Sequence, residues 1–389
     1  MNKEQICLLK ILLSHISGTS NLATVDCDIN LLLQEARMQS VFSIIYNAVQ
    51  KSIPDDTQAT WQETAQYALI NNMRVSRLHS EIDKLLGDIP YVILKGNASA
   101  YYYKKPLLRT MGDVDFLVNE ADVSRVAKII EDNGFTAEED KGGIHIGFHR
   151  DEEMFRDSVE LHRSINGIPS GKSGELIKSY LADIIETSIR VGSSNTAYNM
   201  PDKFHHGFVM LLHTASHLKS EGMGLRHLCD WAVYINTFDD SEWRAMFEDK
   251  LKACGLWRYA QIISKCCVKY LGCKDQPWMG EVEAEILEGL IEDILEAGNF
   301  GHKDKDRSRQ IKYIANRGEG TVDNKSGIRQ VIDTINIKAN AENKSRIGVV
   351  TDYVGMVIRG ERKLDSAKTI EAAEKRKKLY SNFKLFDNS

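Results

Sequence analysis

The sequence predicts an α+β protein: a small mixed β-sheet core preceded and followed by helical regions. Apolar residues recur at helical spacing up to residue 86 and again from residue 171. Between those stretches lie short β-branched runs bounded by glycine, proline or charge. Within residues 87–167 the elements follow one another as strand, turn, helix, strand, helix, strand, strand, an order that suits a compact mixed sheet.

The chain of 389 residues is 42% hydrophobic and 27% charged, which excludes a disordered chain and is long enough for two or three packed units. A net charge of −5 excludes a globally cationic nucleic-acid binder; such a partner would need a local patch. The seven cysteines form no CxxC pair, so they read as free thiols of a reducing cytosol and not as a structural zinc site. Lys10 and His15 interrupt the apolar N-terminus, and no segment reaches the roughly 18 apolar residues of a membrane span. A soluble cytoplasmic protein is expected.

Residues 1–86 carry three apolar stripes, the last two separated by Pro54 and the polar run at residues 55–57. Residues 89–94 predict a strand that ends in the tight turn Lys95-Gly96, with a helix from Asn97 to Tyr103. Residues 114–118 predict a second strand, and residues 120–133 a helix closed by Gly134. Three further strands are expected at 135–137, 144–149 and 158–161. Helices are then expected at 175–186, 203–219, 225–237, 241–254, 256–271 and 282–298. Residues 299–327 read as a linker, followed by helices at 328–337 and 345–358 and a basic tail. The expected organisation is therefore a helical region (1–86), a catalytic core (87–167), a helical domain closing a cleft (168–298) and a C-terminal segment (299–389).

The chemistry concentrates in Lys95-Gly96-Asn97, Arg109 and Gly112-Asp113-Val114-Asp115. Strand residues two apart share a face, so Asp113 and Asp115 converge while Val114, Phe116 and Val118 point to the apolar side. Paired carboxylates repel unless a cation lies between them, and hard Mg²⁺ (or Mn²⁺) accepts carboxylate oxygens together with phosphates. Glu160, on the predicted strand of Ser158-Val159-Glu160-Leu161-His162, can supply a third carboxylate.

These motifs resemble the uncharacterised nucleotidyltransferase family of the DNA polymerase beta-like superfamily. The resemblance rests on Lys95-Gly96, Arg109, Gly112-Asp113-Val114-Asp115, Glu160-Leu161-His162 and, downstream, residues 224–231, and spans about residues 85–240. It implies that Asp113 and Asp115 hold two metal ions and Glu160 one of them, with a nucleoside triphosphate as substrate and ATP as the default donor. The acceptor hydroxyl is left open among a small molecule, a protein and an RNA end. Gly96, Asn97 and Gly112 would lie along the triphosphate, with Lys95 or Arg109 neutralising the leaving pyrophosphate. The chain departs from the wider superfamily in two places: Asn97 stands where serine is common, and Glu160 where aspartate is common.

Each residue also has a plainer reading. Lys95 can snorkel to solvent, Arg109 can hold the loop before Asp113 through a salt bridge, and Glu160 can be a surface residue, with Glu152 and Glu153 as competitors. His213 and His217, four apart on one helix face, can be core residues, cleft-lining residues or a metal pair, with Lys219, Arg226 and His227 as cleft-facing companions. The basic tail at 375–378 can touch RNA or be the solvated end of a helix. Two other functions stay open: an NTP-binding module without turnover, and a phosphohydrolase built on the helical histidines.

Overall fold

The computed structural model describes residues 1–18, 26–139, 143–152, 155–193, 196–304, 307 and 367–387. Met1–Lys305 with Leu379–Ser389 form one compact unit, and Asp306–Lys378 a second, in which α13 (Ala367–Ser381) begins. The helices expected at 328–337 and 345–358, and Glu153, lie outside the described residues.

Helix α1 (Lys3–Ser17) starts with a reciprocal capping box between Asn2 and Gln5 and stops at Gly18, whose φ of 74° only glycine adopts readily. Its buried Leu8, Leu9, Ile11 and Leu12 share one apolar core with α2 (Ile29–Met38) and α3 (Phe42–Val49). Helix α4 (Asp55–Leu86) begins where a separator was expected. Pro54 sits at its N-cap, and Asp55 and Asp56 occupy the first turn, where negative charge suits the positive end of the helix dipole. Trp61 on α4 belongs to that first core, whereas Val75, Leu78, Ile82 and Leu86 belong to a second core beneath the sheet.

The five-stranded sheet has the order β1-β2-β5-β4-β3, with β1 (Tyr91–Ile93), β2 (Val114–Val118), β3 (Thr136–Ala137), β4 (His145–Asp151) and β5 (Arg156–His162). The β2–β5 pair is parallel and the other pairs are antiparallel, so the sheet is mixed as expected. Every residue of β2 is buried. Val114, Phe116 and Val118 face the second core with α6 (Val123–Asp132), while Leu117, with Val92 of β1 and Leu94 just beyond it, packs into the first. Arg150 on β4 grips Glu81 of α4 through two bonds of 2.7 and 3.0 Å, and Arg74 of α4 reaches Asp157 on β5.

Three local expectations are corrected. The helix after Gly96 is a single turn, α5 (Asn97–Ala100); the helix expected at 175–186 is α7 (Lys172–Tyr180); and residues 120–122 form a 3₁₀ turn before α6. A hairpin of β6 (Ile189–Val191) and β7 (Tyr198–Met200) was not foreseen, since three-residue strands leave little periodicity to read. It is tethered to the sheet by Asp83, which accepts from Arg190 at 2.8 Å and from the Tyr91 hydroxyl at 2.6 Å.

Beyond the hairpin come α8 (Lys203–Lys219), α9 (Leu225–Ile235), α10 (Asp240–Ala253), α11 (Trp257–Leu271) and α12 (Ala284–Ala297). Trp243 anchors them, stacked between Phe247 at 4.3 Å and Trp278 at 4.4 Å. All seven cysteines are free, five of them buried. Among the described residues no helix is long and apolar enough to cross a membrane.

His79 of α4 is fully buried and donates from Nδ1 to the Val75 carbonyl at 2.8 Å, which leaves Nε2 to accept. Burial pushes it down to about 4. A histidine so depressed leaves stability intact above its unfolded value near 6.5; as pH falls below that, the unfolded chain takes up a proton that the native state refuses. We expect wild type to lose about 2 kcal/mol more than His79→Gln between pH 6.5 and 5, at ~1.4 kcal/mol per pH unit. Urea denaturation at both pH values measures this, and parallel pH profiles for the two proteins would contradict it.

Candidate active site

The turn after β1 is shaped by His79. Gly96 adopts φ 62°, and a Cβ there would lie 2.5 Å from His79 Nε2, so both backbone and space demand glycine. The next N–H, of Asn97, donates to the same Nε2 at 3.3 Å, and the Asn97 amide donates to Ser76 at 3.2 Å. Asn97 is thus turned toward α4 and is not among the residues lining the cleft, contrary to the expectation of a donor to phosphate. Gly96, Gly112 and Lys95 do line it.

The loop leading to Asp113 is held by α4. Asn71 donates to the Met111 carbonyl at 2.9 Å, and Asn72 accepts from the Met111 N–H at 3.0 Å while donating to Leu107 at 2.8 Å. That clamp delivers Asp113 beside Asp115. The β2–β5 register then sets Glu160 opposite Asp115. One oxygen from each of Asp113, Asp115 and Glu160 lies within 4.8 Å of the others.

The three acids are not equivalent. Asp115 is 1% exposed. Burial alone would raise its pKa, but Lys95 Nζ at 2.6 Å and His162 Nε2 at 3.0 Å converge on Oδ1 and hold it well below the usual carboxylate range. Asp113 moves the other way, to about 6, because the Asp115 charge and burial outweigh Lys95. His162 resists burial through its bonds to Asp115 and to Glu160 (3.3 Å) and is pushed up to about 9, so it is a cation at neutral pH. The sequence motif Glu160-Leu161-His162 contains this histidine but assigns it no role. Its spacing of two from Glu160 on a strand was the signal that places both on one face.

Arg109 takes the salt-bridge alternative. Its guanidinium makes a bidentate pair with Asp230 of α9, at 2.8 Å from Nε and 2.7 Å from Nη2, and Tyr103 donates to the same carboxylate at 2.8 Å. Arg109 and Asp230 are both nearly inaccessible, so this triad ties the loop before β2 to the helical layer.

Helices α8 and α9 form the opposite wall. The cleft has a cavity volume of about 50 Å³, and its lining joins Asp113, Asp115 and Lys95 to His213, Arg226 and His227. His217 packs 4.3 Å from His213 and 5.0 Å from His227, ring centre to ring centre, and Phe300 covers the group. Burial holds all three histidines below their ordinary range, His217 at about 4. Lys219, at the far end of α8, lies over the Phe386 ring at 5.0 Å and is not among the lining residues.

Residues 26–272 match the family model described as uncharacterised nucleotidyltransferase. The chain belongs to that family. The match takes in the acidic strands, α4 beneath them and helices α8 and α9 above, so the cleft of this nucleotidyltransferase lies almost wholly inside it. No curated protein and no solved structure matches the chain.

Removing Asp230 would strand Arg109 as a buried, uncompensated charge. We expect Asp230→Ala to lose about 3–5 kcal/mol, and the double variant Arg109→Met/Asp230→Ala to recover most of that loss. Chemical denaturation of the two variants decides; additive losses would mean that the pair is not coupled.

Proposed function

We propose that this nucleotidyltransferase transfers a nucleoside monophosphate, AMP from ATP by default, to an acceptor hydroxyl with release of pyrophosphate. The observation that carries the reading is the convergence of Asp113 and Asp115, which line the cleft with Lys95 and Gly96, with Glu160 on the neighbouring strand, within a chain of this family.

The donor set suits a divalent cation. Its atoms are hard carboxylate oxygens, and three acids face two side-chain cations, Lys95 and His162, both of which bind Asp115 Oδ1. Asp113 keeps a raised pKa because the neighbouring Asp115 charge and burial outweigh the Lys95 and Arg226 charges. Asp113, Asp115 and Glu160 would hold Mg²⁺ or Mn²⁺, which when bound supplies Lewis acidity toward phosphate and acceptor oxygens.

The protein's own residues do the positioning. Gly96, whose missing side chain leaves room for His79 behind it, lets the chain turn beside Lys95 so that backbone borders the cleft. Lys95 sits where it can shift between Asp115 and the charge that develops on departing pyrophosphate. The protonated His162 keeps Asp115 ionised. Helical residues 168–298 close the cleft from above the core at 87–167. No side-chain nucleophile is required, because in-line transfer depends on orientation and electrostatics.

The test is incubation with α-labelled NTPs and cell extract in Mg²⁺ or Mn²⁺. Wild type should label an acceptor, and Asp113→Ala and Asp115→Ala should each fall by about 10²–10³-fold or more, the scale of losing one preorganised electrostatic group. Chelation should silence wild type. Label transfer that survives both substitutions would refute the assignment.

A further inference from the structure

We propose that Arg226 and His227, in the first turn of α9, seat the phosphate chain of the donor nucleotide on the wall opposite the carboxylates. This rests on the reading of an NTP as donor. Cleft cations are few, and most have a partner at rest: Arg109 pairs with Asp230, and Lys95 with Asp115, from which it must shift to reach a phosphate. Arg226 differs. Its one bond is a long 3.4 Å contact from Nη1 to the Thr110 carbonyl; its buried Nε has no partner, and among the described residues no carboxylate pairs with it. A guanidinium that lines a cleft with no carboxylate in contact, only the more distant charges of Asp230 and Asp113, keeps a fork of donors free for an anion.

His227 supports the same ligand by an independent route. The Gly224 N–H donates to its Nδ1 at 3.3 Å, so the neutral ring carries its hydrogen on Nε2. That Nε2–H has no acceptor, although the residue is only 3% exposed. Buried donors are ordinarily met, and the residue that carries this one lines the cleft. The helix backbone is not available for the task. Gln39 takes the N–H groups of Leu225 and Arg226, and the Gly224 carbonyl takes that of His227, so an anion here must be read by side chains.

A metal ion is the competing ligand, since His213, His217 and His227 bring ring nitrogens within 4.8 Å of one another. The proton on His227 Nε2 occupies the lone pair that a metal would need, and Gly224 occupies the other nitrogen. Arg226 adjoins His227 in sequence and also lines the cleft. An oxyanion answers both the unmet N–H and the unmet guanidinium; a cation answers neither. Phe300, its ring centre 5.4 Å from the Arg226 guanidinium and 5.7 Å from the His227 ring, shields the pair from water and strengthens their hold on charge.

Equilibrium binding of the full chain to inorganic pyrophosphate and to the four NTPs with Mg²⁺ tests the assignment. Arg226→Ala should weaken pyrophosphate and NTP binding by about 10–100-fold, the scale of a hydrogen-bonded charge. Arg226→Lys, which keeps the charge and is the milder change for folding, should lose less. His227→Gln, which can restore an N–H near Nε2, should bind better than His227→Phe. Unchanged affinities in Arg226→Ala and His227→Phe, with wild type binding an NTP, would overturn the seat and leave the donor reading standing. A wild type that binds neither pyrophosphate nor any NTP would overturn both. Stoichiometric zinc that survives dialysis and is lost in His213→Asn would overturn the seat in favour of a metal.

Discussion

Keeping Asp115 ionised while almost wholly removed from water is the constraint around which the molecule is arranged. A buried carboxylate needs counter-charge at hydrogen-bond distance, and this one draws it from two strands, Lys95 at the end of β1 and His162 at the end of β5. Both can reach one oxygen because β2 lies between those strands, antiparallel to the first and parallel to the second. The turn at Gly96 fixes where Lys95 leaves the sheet, and that turn is in turn packed on His79. A disturbance at any of these positions reaches Asp115 as a change in charge balance.

The partition of cations follows from the same logic. Lys95 and His162 satisfy the acid at the sheet, and Arg109 satisfies Asp230 at the junction with α9. Asp113 and Arg226 then remain as an anion and a cation of one cleft that act on each other only at a distance. A metal–triphosphate complex carries both signs, and the cleft offers a complement to each. This chemical symmetry is stronger support for a nucleotide than either wall taken alone.

Much of this was legible in residue order. The alternation of Asp113 to Val118 gave β2 and its two faces, and the spacing of His213 and His217 gave a helix that does wall the cleft. Hidden from sequence were the partners that tertiary packing supplies. Asp230 lies 121 residues from Arg109, and nothing local distinguishes a salt-bridging arginine from a phosphate-binding one. Asn97 was expected to lie along the triphosphate; only the approach of α4 shows that His79 takes its backbone N–H and Ser76 its amide. The hairpin of β6 and β7 owes its existence to docking on Tyr91 and Asp83, a cause absent from its own residues.

Helix α4 contributes Trp61 to one core and Val75 through Leu86 to the other, at 1.5 Å of rise per residue a rod of about 48 Å. The acidic strands therefore have no autonomous boundary at their first residue. A minimal module cut from this chain would have to begin upstream of residue 55, or it would lose the strut that supplies His79, Asn71 and Asn72 to the site. Modularity here follows shared load and not the order in which strands and helices alternate.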